Sequence, residues 1–388
     1  MMAAVAVPIE SSRGRRWAST MHGFDAGRNI TLAHATSTAR IGPLSDTGGP
    51  LDVGVDRNRR EEREDRTLSP GATRATGAGD RLVAEDPDPW RTCFERDRDR
   101  ILHSSSFRRL AGKTQVFIFP EDHQRTRLSH ALEVAQVAGG IARAVGLNVA
   151  LVEAIALGHD CGHGPGGHAS EDALDPFLDG GYDHAPWGAE VSLASLNLCA
   201  ESLDGIANHS WSRPAPSTPE GEVVSWADRI GYVCHDFEDA VSAGIVTPDL
   251  LPLEVRERCG TRRGEQLGAF IDAMVTTIVE TGVIGMDTDH AEALAAFRGF
   301  NYEHIYLRDE SVAQGKAVVE VLRALVEHFA QRPSAIPDSA RAGLAPGSPD
   351  AVVAAVRYVS GMTDRYAFRT AVDRLGWDPD RLPQGIDR

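Results

Sequence analysis

The chain has 388 residues, of which 42% are hydrophobic and 25% charged, the balance of a globular protein. Its formal net charge of −16 argues against non-specific coating of duplex DNA or an anionic membrane, so a polyanionic substrate needs local cations. No apolar run approaches the roughly 18 residues of a membrane span, and five scattered cysteines (Cys93, Cys161, Cys199, Cys234, Cys259) without a CxxC pair argue for a reducing cytoplasm and against a disulfide framework.

Residues 1–57 are rich in Ala, Gly, Ser and Arg without sustained periodicity, and a disordered tail is expected there. Residues 58–85 read as an N-terminal arm whose mixed charges are solvated. Globular structure is expected from Asp86-Pro87-Asp88-Pro89 onward. The following stretch is arginine-rich, and its charges suit a solvated helix or a binding face equally well. Arg108, Arg109 and Lys113 are stronger candidates for phosphate contact, because they flank the apolar, strand-like segment Gln115-Val116-Phe117-Ile118-Phe119.

Residues 125–145 predict an amphipathic helix, with Leu128, Ala131, Leu132, Ala135, Ala138, Ala142 and Val145 at helical spacing. His130 lies inside it and Arg127 one turn earlier. Gly146-Leu147-Asn148 is a stop. Residues 149–158 predict a second helix, mostly apolar all round and therefore buried. It delivers His159 and Asp160 at its C-terminal end.

Helices are expected next over 169–178, 189–203 and 222–240. In the last of these, Asp228, Tyr232 and Asp236 step by four and share one polar face. Further helical patterns cover 267–281, 287–298, 312–330 and 350–375, with linker composition over 332–349. No strand alternates with helix in a sustained way, so the fold is expected to be all-α.

Histidine is concentrated between His123 and His235, which hold eight of the 14. The centre of this window is Ala156-Leu157-Gly158-His159-Asp160-Cys161-Gly162-His163-Gly164-Pro165-Gly166-Gly167-His168, with Glu171 behind it. Imidazoles and carboxylates side by side are ligands for a first-row metal. His130, His159, Asp160 and Asp228 offer two imidazoles and two carboxylates, enough to neutralise a divalent ion and leave positions open. His163, His168 and Glu171 are not needed as ligands. His168 and Glu171 are three apart at a helix start, so the carboxylate can orient the imidazole as a general acid or base.

The spacing His130…His159-Asp160…Asp228 resembles the H…HD…D signature of the HD superfamily. The block Arg98-Asp99-Arg100-Ile101-Leu102-His103-Ser104-Ser105-Ser106-Phe107-Arg108-Arg109-Leu110-Ala111-Gly112-Lys113-Thr114-Gln115-Val116-Phe117 resembles the opening block of deoxyguanosinetriphosphate triphosphohydrolases and their dNTPase-like relatives. Arg125-Thr126-Arg127-Leu128-Ser129-His130 and Glu220-Gly221-Glu222-Val223-Val224-Ser225-Trp226-Ala227-Asp228-Arg229-Ile230 are similar to their first and last ligand helices. Asn301-Tyr302-Glu303-His304-Ile305-Tyr306-Leu307 and Gly361-Met362-Thr363-Asp364-Arg365-Tyr366-Ala367 extend the resemblance, which covers roughly residues 60–370.

The resemblance implies an all-α HD-domain fold with additional C-terminal helices. An HD catalytic core over 86–245 would be followed by a C-terminal helical part of the same domain over 246–376 and a tail over 377–388. It implies metal-dependent hydrolysis of dNTPs to deoxynucleoside and inorganic triphosphate, with Mn²⁺, Mg²⁺ or another first-row metal as cofactor. His130, His159, Asp160 and Asp228 would hold the metal. His168 with Glu171 would be the catalytic pair, with His163 near the phosphates and His184 beside the pair. Arg127 and Arg229 would contact phosphates, with Tyr232 beside them, while Asp236 and Gln115 would read the sugar. A dNTP substrate, an effector dNTP, a homo-oligomer and a cytoplasmic location without membrane association are further expectations.

Two departures stand out. Relatives usually carry Phe at the position of Gly166, which suggests a looser loop here. They also differ at Ala185-Pro186-Trp187, which puts the role of His184 and the substrate preference in question. Other readings stay open from sequence: another HD phosphohydrolase, such as a nucleoside monophosphatase or phosphodiesterase, or a non-catalytic nucleotide sensor.

Overall fold

The computed structural model describes residue 15 and residues 23–27, 29–38, 54–120, 123–337 and 343–384. The chain divides into two compact units, Met1–Gly54 and Val55–Arg388. The described residues of the first unit include a small antiparallel hairpin, β1 (Phe24–Asp25) and β2 (Thr31–Leu32). The tail expected over residues 1–57 falls mostly outside the described residues.

The second unit is helical, with fifteen α-helices among the described residues. Helix α1 (Arg57–Thr67) is capped by Asp56, whose carboxylate accepts the Arg59 amide at 2.9 Å. It buries no side chain of its own. Instead Glu61 and Glu64 accept the backbone amides of Gly77 and Ala75 at 2.8 Å each, and Ala72 and Ala75 enter the core. The second unit therefore includes residues 55–85, where an arm was expected.

Helix α2 (Cys93–His103) opens with a Thr92–Glu95 capping box and is followed by the short α3 (Ser105–Arg109). Its charges are taken up within the protein. Arg96 and Arg100 pair with Glu85, Arg98 with Asp99 and Glu153, and buried Asp97 with Arg81 at 2.6 Å. The strand expected over 115–119 does not form. A single bridge joins Thr114 to Thr126, and Phe117 and Ile118 are buried as irregular chain.

Three helices frame the centre of the unit: α4 (Arg127–Val145), α5 (Val149–Gly158) and, later, α9 (Pro219–Ser242). Gly146 ends α4 at φ 73°, a left-handed position that suits glycine, and the Asn148 side chain caps α5. The expectation that α5 is mostly buried holds: Leu151, Val152, Ala154, Ile155 and Ala156 are fully inaccessible, while Glu153 reaches out to Arg98 and Arg143. Each fully buried Leu or Ile of this kind contributes about 1.5–3 kcal/mol.

Between α5 and α9 lie α6 (Ala169–Leu174), α7 (His184–Trp187) and α8 (Ala200–Ala207). Helix α6 stops earlier than expected, because Pro176 sits in a 3₁₀ turn over Asp175–Phe177. The helix expected over 189–203 is not continuous. A π turn (Gly188–Ser192) and a 3₁₀ turn (Ala194–Leu196) lead to Asn197 in the left-handed region, and α8 begins only at Ala200.

Beyond α9 come α10 (Leu253–Cys259), α11 (Arg263–Thr281), α12 (Thr288–Asn301), α13 (Asp309–Gln331), α14 (Pro349–Ser360) and α15 (Asp364–Leu375). The single pattern over 350–375 is two helices, broken at Gly361-Met362-Thr363. Two apolar clusters result. One surrounds α4, α5 and α9; the other joins α13, α14 and α15 to Leu174 and Tyr182. The described part of the expected 377–388 tail folds back, with the Gln384 amide on Gln314 at 2.8 Å.

Candidate functional site

Four side chains converge where α5 ends against α4 and α9. His130 shares the face of α4 that carries Val134, Val137 and Ile141, so core packing draws it inward. His159 caps α5, and its Nδ1 donates to the Ala156 carbonyl at 2.7 Å. That bond puts a proton on Nδ1 and leaves Nε2 facing inward, buried and without a hydrogen-bond partner within reach. Asp228 Oδ1 lies 2.9 Å from His130 Nε2 and 3.6 Å from His159 Nε2. Asp160 Oδ1 lies 3.5 Å from His159 Nε2, and its Oδ2 lies 3.9 Å from His130 Nε2.

The electrostatics of this quartet call for a cation. Burial pushes the Asp160 carboxyl up, but the Arg127 guanidinium and His159 outweigh it and hold it well below the usual range. Burial raises Asp228 likewise, and the hydrogen bond from His130, with His159 close beside it, overcomes that. Burial lowers His159, yet the two carboxylates push it up to about 9. Two ionised carboxylates facing buried imidazole nitrogens, one of them orphaned, form a donor set that fits a divalent ion. The sequence-expected ligands His130, His159, Asp160 and Asp228 are thus brought together.

A second set adjoins the first. Glu171, in the first turn of α6, accepts His184 Nδ1 at 2.6 Å and the His184 amide at 3.0 Å on one oxygen. Its other oxygen takes His168 Nδ1 at 3.2 Å. Burial raises the Glu171 carboxyl, but these bonds hold it far below the carboxylate range. The expected pair is therefore a trio, in which one carboxylate orients two imidazoles. His168 is exposed and His184 buried. His163 stacks on His184 at 3.8 Å between centroids, and its Nε2 lies 3.2 Å from Asp160 Oδ1, linking the two sets. Burial and the Arg127 charge keep His163 well below its ordinary value, hence neutral.

The loop that carries these histidines is held firmly. Gly162 has no room for a side chain, since a Cβ there would lie 1.9 Å from the His184 carbonyl oxygen. Gly166 sits at φ 75°, its amide donates to Asp364 Oδ1 at 2.9 Å, and a Cβ would lie 2.5 Å from Val318 Cγ1. The looser loop expected from Gly166 is not found; Asp364 and Val318 take the place of a large side chain. The departure at Ala185-Pro186-Trp187 forms α7, and Trp187 packs on Tyr182 and donates to Ser360 Oγ at 3.2 Å.

Lys113 is a structural group rather than a free phosphate contact. It is buried, donates to the carbonyls of His163 and Ser360, and burial lowers it to about 8. Arg108 and Arg109 are exposed and bond to the His103 carbonyl and Ser106 Oγ.

Of the remaining expected residues, Arg127 contacts this centre directly. Arg127 is buried; its Nη1 donates to Asp160 at 2.6 Å, while Nε and Nη2 lack partners. Gln115 has a buried Oε1 without a partner. The Arg229 guanidinium lies 3.7 Å above the Trp211 ring. Tyr232 accepts from Arg298 at 2.8 Å, and Asp236 accepts the Tyr306 hydroxyl at 2.6 Å. Arg298, Tyr306 and above all His209 were not singled out from sequence. His209 follows the end of α8, is buried, and its Nε2 lies 3.2 Å from His184 Nε2. Nothing but its isolated position in a histidine-rich window pointed to it.

Among the described residues, no helix is long and apolar enough to cross a membrane. An HD domain matches residues 127–232, and a phosphohydrolase-associated domain matches residues 284–372. A deoxyguanosinetriphosphate triphosphohydrolase-like protein from Caldanaerobacter subterraneus is 39% identical over 79% of this chain and 92% of its own length. Proteins of the same description from Clostridium perfringens and Syntrophus aciditrophicus are 41% and 35% identical, over 73% and 79% of this chain and 86% and 94% of theirs. With the HD-type residues assembled at one centre and relatives matched over most of their length, the chain belongs to the deoxyguanosinetriphosphate triphosphohydrolase-like family of HD-domain hydrolases.

Proposed function

We propose that the chain hydrolyses deoxynucleoside triphosphates to deoxynucleoside and inorganic triphosphate, with a divalent ion held by His130, His159, Asp160 and Asp228. The observation that carries this reading is the continuity of the site. Asp160 belongs to the ligand quartet, touches His163, and through the stacked His184 reaches the Glu171 that orients His168. The bound ion supplies Lewis-acid polarisation of a phosphoryl oxygen.

The chain's own residues do the rest. Arg127 is fixed by Asp160 and has two unpartnered nitrogens to offer a phosphate. His163 lies on the same side, and Arg229 is steadied by Trp211 for a second phosphate contact. Glu171 holds Nδ1 of His168, so the proton this exposed imidazolium can deliver is the one on Nε2. Water bonds to the α-phosphorus as the bond from phosphorus to O5′ breaks, O5′ takes the proton from His168, and the proton shed by the attacking water passes to solvent, from which exposed His168 is re-protonated. His184, bound to the same carboxylate, keeps Glu171 ionised and aligned. Tyr232 stands beside Arg229, and Asp236 and Gln115 offer acceptors for the sugar hydroxyl.

A product assay tests the reading. The protein is incubated with Mn²⁺ or Mg²⁺ and each dNTP, singly and mixed, and nucleoside is resolved from nucleotide. Deoxynucleoside with triphosphate is the expected result. Monophosphate or diphosphate products would place the cut at another phosphorus and overturn it.

A further inference from the structure

Arg229 is held by an aromatic face and by no acid. Its guanidinium carbon lies 3.7 Å from the centroid of the Trp211 ring. Its Nε is buried without a partner, and among the described residues no hydrogen bond or ion pair engages this side chain. Arg127 is fixed instead by the Asp160 carboxylate at 2.6 Å. The difference has an electrostatic consequence. A carboxylate takes donors from the edge of a guanidinium and cancels part of its charge. An aromatic ring takes the face, and leaves both the charge and the in-plane N–H groups free.

The surroundings make such a hold necessary. Burial acts against the Arg229 cation, and so does the Arg298 guanidinium nearby. Arg298 is itself occupied, donating to the Tyr232 and Tyr302 hydroxyls at 2.8 and 3.2 Å. Asp228 attracts Arg229, but its carboxylate is engaged by His130 at 2.9 Å. Trp211 is well fixed for the task although 47% exposed. Its ring meets Trp226 edge-on, at 4.7 Å between centroids and 74°. Trp226 and Arg229 are three apart on α9, so one stretch of helix carries both the cation and the ring that backs its platform. The loop bearing Trp211 is tied on both sides. The His209 carbonyl accepts Ser225 Oγ, and Asp204 accepts the Ser217 amide and hydroxyl at 2.7 Å each.

We propose that Trp211 is a positioning residue for the polyphosphate end of the substrate, holding Arg229 by its π face so that the charge and donors of that guanidinium are kept for phosphate oxygens. This rests on the dNTP reading of the site and adds to it a residue outside the histidine cluster. The phosphate tail, rather than the base, then feels the loss of Trp211.

The test uses the Mn²⁺-loaded full chain, with inorganic triphosphate as an inhibitor of dNTP turnover. Trp211→Leu keeps apolar bulk but has no π face. It should raise the inhibition constant of triphosphate and KM for every dNTP by about 5- to 30-fold, the scale of one desolvated cation–π contact, with a smaller change in kcat. Trp211→Phe should restore most of the affinity. In an Arg229→Gln background Trp211→Leu should cost little more, because both changes remove the same contact. Wild-type triphosphate inhibition in Trp211→Leu would overturn the proposal. So would an equal loss with and without Arg229, or a loss that differs among the four bases and spares triphosphate, which would make Trp211 a base contact. Should Trp211→Leu fail to fold, fluorotryptophan incorporation decides, since fluorine weakens the π face while keeping the ring's shape. Triphosphate affinity should fall with fluorine number in the wild type and not in Arg229→Gln, and no fall overturns the proposal. A wild type that cleaves no dNTP would overturn the reading of the whole site, a result distinct from all of these.

Discussion

The Tyr306 hydroxyl donates to Asp236 Oδ2 at 2.6 Å, from the turn after α12 to the polar face of α9. Asp236 is buried, and burial pushes its carboxyl up to about 7 despite this bond. If the ionised form accepts a sugar hydroxyl, KM for dNTP should rise as pH falls below about 7, and Asp236→Asn should flatten that dependence. Stability carries the opposite sign. The folded value lies above the ordinary 3.8, so the fold favours the protonated form and loses stability as pH rises from about 4 through 7. Asp236→Asn should be more stable than the wild type at pH 8, by up to roughly 4 kcal/mol at about 1.4 kcal/mol per pH unit, and lose the advantage near pH 4. Equal melting at pH 8 would refute the buried-carboxyl account.

Asp228 touches both His130 and His159, so its removal opens two contacts at once. His130→Ala and Asp228→Ala should each lose bound metal and activity together, and a chelator should do the same to the wild type. Elemental analysis beside turnover checks this. A variant with full metal content and no activity would move these residues out of the ligand set.

Glu171 orients His168 and His184 but lies outside the quartet. Glu171→Ala should leave the ion of that quartet in place and lower kcat by about 10²-fold or more, the scale of general acid–base catalysis. Glu171→Gln should retain part of the rate through its remaining acceptor oxygen. Wild-type turnover in Glu171→Ala would sink the assignment of the trio.

Asp364 accepts the Gly166 amide on one oxygen and the Thr114 amide and hydroxyl on the other, at 2.6–2.9 Å. Burial raises its carboxyl, and these bonds oppose that. Asp364→Ala leaves three buried groups short of a partner. It should cost about 2–4 kcal/mol in a denaturation series, with kcat falling as the loop loosens. Asp364→Asn should recover part of both. A stability change within experimental error would show that the loop is held elsewhere.

Much of this architecture was legible because periodicity reports burial. The apolar stripe of α4, the uniformly apolar α5 and the four-residue step of Asp228, Tyr232 and Asp236 each specify a face, and three such faces bring His130, His159, Asp160 and Asp228 to one place. What was not legible depends on contacts distant in sequence. The interruption of the 189–203 helix is anchored by Ser106 on the Ser192 carbonyl and by buried Asp97 on the Cys199 amide. Lys113 looked like a free cation because its carbonyl partners, His163 and Ser360, carry no side-chain signature. His209 belongs to no repeating pattern, and only the folded chain sets it against His184.

The bond from Asp364 to the histidine loop also fixes an order of events during synthesis. A chain leaves the ribosome from its N-terminus, so α4, α5 and α9 can fold and meet cellular metal before Asp364 has been translated. At that stage the ligand helices exist while the loop between Gly162 and His168 lacks its distant anchor. Competence is thus a property of the finished polypeptide. If the quartet holds an ion as proposed, a product ending before α15 lacks the anchor on Gly166 and Thr114 and should turn over nucleotide more slowly than the full chain.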